Sequence, residues 1–445
     1  MGSGPSEEAR CEVARESATL TRRLTQLIQA KPVTADDLEQ TALFVLDALA
    51  NALAGRRTPA GEKVLRWWRD LDNTSDAGRR AFLLGALTHI LEVDDLHRAS
   101  VVHPGCVVAA AAWAVAMREK AGGIALLTAV LRGFEATTRV GMAVGPAHYR
   151  IWHNTATCGP YGSAMATASL LNLDESSTVD ALGNAGTQSA GFWQFLETGA
   201  MSKHLHAGRA AEAGLVAADL ARLGFTGPPA ILEGGKGFFA ATCSDADPLA
   251  VVRDPETPWQ LHATSIKPWP SCRHTHPAID AAQEIRSHLD DYRAIKVIEV
   301  ETYAAALEVC DRPEPHSEYE AKFSLHHCVA AALTRDRVDF AAFSESARAE
   351  LAELSSRVTL RVAEPYACAY PQAWGSAVTV ILDDGRRWQA RRTHAKGDPQ
   401  ARLSRSEMIA KARELMHFAG EENPEGLCTA VLALAEDGPI PSLNL

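Results

Sequence analysis

Thr34-Ala-Asp-Asp-Leu-Glu-Gln-Thr-Ala-Leu-Phe-Val-Leu-Asp-Ala-Leu-Ala-Asn-Ala-Leu-Ala-Gly55 reads as one complete helix. Thr34 is its N-cap with acids in the first turn, Leu38, Leu46, Leu49 and Leu53 mark one face, and Gly55 stands where a terminating glycine belongs. The same rhythm predicts helices near 59–70, 75–91, 104–120, 124–142, 160–171, 175–191 and 208–223. Alanine-rich runs such as Val107 to Ala116 and Ala164 to Ala168 carry too few charges for a solvated face, which puts them at the centre of a bundle or in a dimer interface. The first 265 or so residues are therefore an α-domain.

The rhythm changes after Pro268. Ile298, Val300 and Thr302 alternate with Glu299 and Glu301, Val358, Leu360 and Val362 alternate with Thr359 and Arg361, and Val378 to Leu382 meets Arg387 to Arg391 across an Asp384-Gly385 turn. With helices expected near 321–335 and 340–353, this is a small α+β domain. Ser404-Arg-Ser-Glu407 is a capping box that opens a further helix through Met408, Leu415 and Met416, stopped by Gly420. The fold class is mainly α with a smaller α+β domain: residues 1–265 and 396–445 form the helical body and 266–395 the insert.

The chain has 445 residues and a net charge of −11 spread along its length, so nothing points to nucleic acid and any anionic substrate needs a local cationic pocket. Nine scattered cysteines, with no C-x-x-C pair, read as cytosolic thiols that fill the core. No apolar run reaches the ~20 residues of a membrane span, and the first sixteen residues are too polar for a signal peptide, so a soluble, cytoplasmic protein is expected. Met1-Gly-Ser-Gly-Pro-Ser6 fits the myristoylation pattern literally, but so short a match reads better as a disordered start. Ala230 in place of the first Walker glycine turns Gly234-Gly-Lys-Gly237 into a plain turn, and the signatures of zinc proteases, serine hydrolases and dinucleotide binding are missing.

Three segments gather unusual polar residues among small and apolar ones: Glu92-Val-Asp94-Asp95-Leu-His97 with His103-Pro-Gly105, then His153-Asn-Thr155, then Lys203-His-Leu-His206. Buried carboxylates, imidazoles and ammonium groups are costly unless paired, so their recurrence suggests one assembled acid–base site. Pro104 presets a helix start and leaves His103 beside free backbone N–H groups that favour a bound carboxylate. Lys203 and Lys267 in a dry pocket suit a substrate with several carboxylates. Asp94, Asp95, His97 and His103 are types that bind Zn, Mn or Fe, but structural zinc spacing is absent and helix-start Asp pairs are commonly caps, so no metal is expected. One acid of the Glu92 to Asp95 run is expected to be such a cap.

Taken together, these stretches resemble the MmgE/PrpD family, which includes 2-methylcitrate dehydratases, cis-aconitate decarboxylases and iminodisuccinate epimerases. The similar stretches also include Ala86 to Asp95, Gly133-Phe-Glu-Ala136, Gly224-Phe-Thr-Gly227, Leu232-Glu-Gly234, Lys267-Pro-Trp-Pro-Ser-Cys272 and Gly397-Asp-Pro399, in family order over nearly the whole chain. The resemblance implies a helical body from both chain ends, an α+β lid with the active site between them, commonly a homodimer, and no cofactor. It also implies pocket roles for His103, His153, Lys203 and Lys267. The sequence departs from the decarboxylase pattern at Glu92, at Leu96 where a threonine is usual, and at His327 where a tyrosine is usual. Removing a hydroxyl donor and lengthening a carboxylate changes where a proton can be delivered. The expectation is thus proton abstraction next to a carboxylate of a small polycarboxylic acid, first as an iminodisuccinate-type epimerase with Tyr149 and Lys203 as the two proton carriers. His103 and His153 complete the catalytic set, and Lys267, Glu92, Asp94, His97 and His327 bind substrate. A dehydratase or decarboxylase is the alternative, and a noncatalytic polycarboxylate-binding protein is the alternative of another class.

Overall fold

The computed structural model describes residues 19–70 and 75–443. The amino-terminal Met1 to Ser6 stretch and Cys11 lie outside the described residues. The chain divides into two compact units, one formed by residues up to Thr264 together with Ser404 onward, the other by Ser265–Leu403.

The larger unit is helical. Its main helices are α1 (Leu20–Ala30), α2 (Ala35–Gly55), α3 (Pro59–Arg69), α4 (Ala77–His89), α5 (Pro104–Glu119), α6 (Gly123–Ala143), α7 (Pro146–Tyr149), α8 (Asn154–Leu170), α9 (Glu175–Gly186) and α10 (Ser202–Arg222), and α11 (Arg405–Ala419) joins them from the carboxy-terminal part. The capping logic accounts for the ends. Thr34 and Asp37 close a reciprocal capping box on α2, Ser404 and Glu407 do the same on α11, and Gly420 ends α11 in the left-handed conformation at φ 72°. The alanine-rich α5 and α8 are buried along nearly their whole length, as helices without a charged face must be.

Two helices begin earlier than their sequence suggests. Pro160 reads as a helix start at first sight, yet it lies inside α8, which opens at Asn154 with His153 as its N-cap. α10 likewise opens at Ser202, so Lys203 lies in its first turn. Both shifts move candidate site residues onto helix N-termini.

The smaller unit is built on a four-stranded sheet. Its strands β1 (Ile295–Thr302), β2 (Val358–Val362), β3 (Ser376–Leu382) and β4 (Arg387–Arg392) lie in the order β2-β1-β3-β4, with β1 parallel to β2 and the other pairs antiparallel. Ile298, Val300 and Thr302 point into the core while Glu299 and Glu301 are half-buried, which is the period of two set by the pleat. The β3–β4 hairpin turns at Gly385 with φ 85°. Helices at His276–Arg286 and Leu325–Thr334 pack on this sheet.

The carboxy-terminal boundary of this unit falls after Leu403, eight residues later than 395. The backbone N–H of Ile266 donates to Gly397 O at 2.9 Å, Ser265 Oγ donates to Asp398 Oδ1 at 2.9 Å, and Arg273 pairs with Asp398, tying 397–398 into the unit. Gly397 has φ 89°, and a Cβ there would lie 2.0 Å from Ile266 O, so this close approach requires glycine. Among the described residues no helix is long and apolar enough to cross a membrane. Eight cysteines are described, all as free thiols, and five of them are buried.

Candidate active site

Four helix ends meet inside the larger unit. α4 terminates at His89, and α5, α8 and α10 begin just after His103, just after His153 and just before Lys203. Close backbone approach makes this possible: a Cβ on Gly85 of α4 would lie 3.2 Å from Gly208 Cα of α10 and 2.9 Å from Cys106 O of α5. The three helix N-termini turn their positive ends toward the same region, which favours an anionic ligand there.

The segment joining α4 to α5 carries the acids. Glu92 adopts a left-handed backbone conformation, φ 61°, sparsely populated for a residue with a Cβ and costing about 1–3 kcal/mol. That conformation directs its carboxylate to Lys203, with which it forms a buried ion pair. Asp94 lies between two imidazoles, its Oδ2 2.7 Å from His89 Nδ1 and 3.5 Å from His103 Nδ1. Burial alone would push the Asp94 carboxyl up, but the neighbouring His89 and His103 hold it well below the usual range. Asp95 is the cap that the sequence leaves unassigned: both its oxygens accept the Gly105 N–H, at 3.1 and 3.0 Å. Burial, then the charges of Asp94 and Asp47, push Asp95 well above the carboxylate range.

The histidines form a chain of rings. His89 lies 4.6 Å from His103 and 5.7 Å from His153 between ring centroids, and His153 Nδ1 lies 3.3 Å from His206 Nδ1. His103 Nδ1 donates to the Asp95 carbonyl at 2.6 Å, which places the lone pair of the neutral ring on Nε2. Burial first, then the nearby His89, Lys203, His206 and His103, push His153 well below the usual imidazole range. Burial lowers His204 and His206 to about 4, so these rings are neutral at pH 7. His89 Nε2, Asp94 Oδ1, His153 Nε2 and His204 Nδ1 are buried with no hydrogen-bond partner among the described residues. Their concentration in this cluster leaves hydrogen-bonding capacity that the surrounding side chains do not use.

Several candidates take other places. His97 donates Nε2–H to Gln260 Oε1 at 3.1 Å and accepts from Ser100 Oγ at 2.8 Å, so both ring nitrogens brace the fold rather than face a substrate. Burial lowers His97 to about 4. His327 belongs to the smaller unit, where its Nε2 donates to Ala342 O at 2.8 Å inside the packed core. Tyr149 is 41 % exposed on the short α7, and its ring packs on Trp193 at 5.4 Å. Trp193 in turn lies 4.6 Å from His153, so one indole separates Tyr149 from the cluster. Lys267 is 2 % exposed in the smaller unit.

His89 is not singled out by the sequence reading, and His206 is named there only as the end of its segment, without a role. His89 stands five residues before Asp94 at the end of an apolar helix, and His206 stands three residues after Lys203, a spacing that puts both on one helix face. His89, Asp94 and Cys106 also offer ligand atoms within 4.8 Å of one another, all buried. Burial, together with Asp94 and Asp95, pushes the Cys106 thiol well up, and its Sγ donates to His103 O at 3.2 Å. The trio is thus a geometric candidate for a cation, which would have to displace the thiol proton on binding.

Residues 23–249 match the MmgE/PrpD N-terminal domain and residues 269–431 the MmgE/PrpD C-terminal domain, so the chain belongs to the MmgE/PrpD family. Among characterised proteins it is 25 % identical to a cis-aconitate decarboxylase of Aspergillus terreus over 372 residues, covering 75 % of this chain and 76 % of that one. It is 28 % identical to the human cis-aconitate decarboxylase over 350 residues, covering 75 % and 71 %. The mouse cis-aconitate decarboxylase is 25 % identical over 404 residues, covering 84 % and 82 %. These relatives are lyases.

Proposed function

We propose that the chain is a cofactor-independent acid–base enzyme that moves a proton at the carbon next to a carboxylate of a small polycarboxylic acid. The observation that carries this reading is the buried Lys203–Glu92 pair beside the His89–Asp94–His103 chain, with unpartnered polar atoms on His89, Asp94 and His153. A carbanion or enolate at such a carbon needs a base at the carbon and donors around the carboxylate that hold the developing charge. His103 Nε2 and Lys203 are the proton carriers, His153 is a neutral hydrogen-bonding partner, and the helix N-termini and Lys203 stabilise negative charge. Lys267 binds a second carboxylate in this reading.

A lyase is the first net reaction we assign, a loss of carbon dioxide or water, because the relatives are named for decarboxylation. Epimerisation of an iminodisuccinate-type acid is the second, favoured by the position of Tyr149 one ring from His153 and by the departures at Glu92, Leu96 and His327. Incubation with cis-aconitate, 2-methylcitrate and the separate iminodisuccinate isomers, followed by NMR, separates the two. A new alkene or released carbon dioxide supports the lyase; inversion with no group lost supports the epimerase. Binding of these acids with neither outcome makes the chain a polycarboxylate-binding protein. A cytoplasmic homodimer completes the proposal, and exposed Phe192, Leu196, Met201 and Leu205 are apolar surface consistent with a partner copy.

A further inference from the structure

A second buried ion pair lies directly behind the acid-bearing segment, and the proton-transfer cluster does not include it. Lys411, near the middle of α11, places its Nζ 2.6 Å from Asp47 Oδ1 of α2, with side chains only 10 % and 4 % exposed. The same Nζ donates to Val93 O at 2.7 Å, a bond spanning 318 residues of sequence. Asp47 is held from its own helix as well, since Asn51 Nδ2 donates to its Oδ2 at 3.3 Å.

Val93 stands between Glu92 and Asp94. Its carbonyl belongs to the peptide plane that leads into Asp94, and the preceding residue is the one in the left-handed conformation. A strained backbone persists only where its surroundings over-determine it. A charged donor on this carbonyl is one of the stronger restraints available, because such a bond is short and resists water inside the fold. The rest of the segment is restrained by its side chains: Glu92 by Lys203, Asp94 by His89 and Asp95 by Gly105. Lys411 therefore adds a restraint on the backbone at Val93, as His103 does two residues later at the Asp95 carbonyl.

We propose that Lys411 is a positioning residue: from α11 it holds the Val93 carbonyl, and so keeps Glu92 on Lys203 and Asp94 between His89 and His103. The proposal rests on the proton-transfer reading for its catalytic consequence and on geometry alone for the tether. It also gives α11 a task beyond packing.

The competing reading is that the pair only docks α11 on α2. Lys411→Met alone cannot decide, because it leaves Asp47 buried and unpaired and destabilises the body in either case. The double variant Lys411→Met/Asp47→Leu can decide, since replacing both members of a buried pair by apolar groups is often neutral for stability. Three quantities are read: the urea midpoint, peptide-level amide exchange over 90–97, and the rate of deuterium incorporation into a responsive polycarboxylate. In the double variant we expect the midpoint to return to the wild-type value while amides over 90–97 exchange at least tenfold faster. The turnover number should stay at least tenfold low with KM within threefold. Recovery of exchange protection and turnover together with the midpoint overturns the proposal. Lys411→Gln, which keeps an N–H donor without the charge, is the second reporter: partial protection of 90–97 is expected, and wild-type protection in Lys411→Met overturns the tether. If the wild type incorporates no deuterium into any acid, the proton-transfer reading fails while the amide-exchange comparison still tests the tether.

Discussion

Two neighbouring aspartates should respond in opposite directions to the same substitution. Asp94→Asn removes a buried negative charge that accepts from His89 at 2.7 Å and faces His103 at 3.5 Å. Breaking one side of a buried charge pair typically costs about 3–5 kcal/mol, so the helical body should lose stability on that scale at pH 7. Asp95→Asn instead removes a charge that burial and the neighbouring Asp94 and Asp47 disfavour, while the Asn side-chain oxygen still accepts the Gly105 N–H. The raised pKa means that the ionised form is disfavoured in the fold, so this variant should be unchanged or slightly more stable at pH 7. The pH dependence separates them further. The lowered pKa of Asp94 gives stability that is present above the unfolded carboxylate value, about 3.9, and is lost as pH falls through the folded value. The raised pKa of Asp95 works the other way, its penalty growing as pH rises from the unfolded value through the higher folded one. Urea unfolding at pH 7, pH 5 and pH 3, followed by far-ultraviolet circular dichroism, measures both, the lowest pH being the one that reports on Asp94. Equal destabilisation of the two variants, or a loss above about 2 kcal/mol in Asp95→Asn, refutes the electrostatic assignment of this segment.

Lys267→Ala should raise KM at least tenfold with kcat nearly unchanged, because an anchor used equally before and during reaction contributes to uniform binding; a large kcat loss at constant KM assigns it to chemistry instead. Tyr149→Phe should leave turnover within about threefold if the lyase reading holds and abolish interconversion of isomers if Tyr149 is one of two proton carriers; steady-state kinetics on both substrate types decides. Exhaustive dialysis against EDTA should leave activity intact, and activity lost and then restored by Zn or Mn would assign the His89, Asp94 and Cys106 trio to a metal. Sedimentation equilibrium should give twice the 47.8 kDa chain mass, and a monomer at micromolar concentration removes the homodimer.

The fold was legible where one local rule acted alone. Capping boxes at Thr34 and Ser404, and the alternation across Ile298 to Thr302, act through short-range sterics and hydrogen bonds, so they can be read without a partner. Pro160 misled because proline usually starts helices, whereas here tertiary packing carries α8 through it. The Lys396 to Leu403 stretch was placed with the wrong unit because its ties to Ile266 and Arg273 are long-range. At the site, the polar residues of the three segments could be found from their apolar context, but their division of labour could not. Asp94 and Asp95 are identical in type and adjacent, yet one serves two imidazoles and the other a glycine N–H, and only the turn at Glu92 decides which. A histidine that braces a carbonyl or an amide, as His97 and His327 do, has no sequence mark to set it apart. Lys411 was invisible, since its partners lie more than 300 residues away.

The central claim is proton transfer at a carbon next to a carboxylate, with Lys203 as a proton carrier. Its most direct measurement is deuterium incorporation from heavy water into a panel of small polycarboxylic acids, followed by NMR for wild type and for Lys203→Met. The account predicts incorporation at a single carbon next to a carboxylate with the wild type, and a loss of at least a hundredfold with Lys203→Met in a protein that remains folded. Wild-type-like incorporation by Lys203→Met, or no incorporation into any acid that the wild type binds, contradicts it.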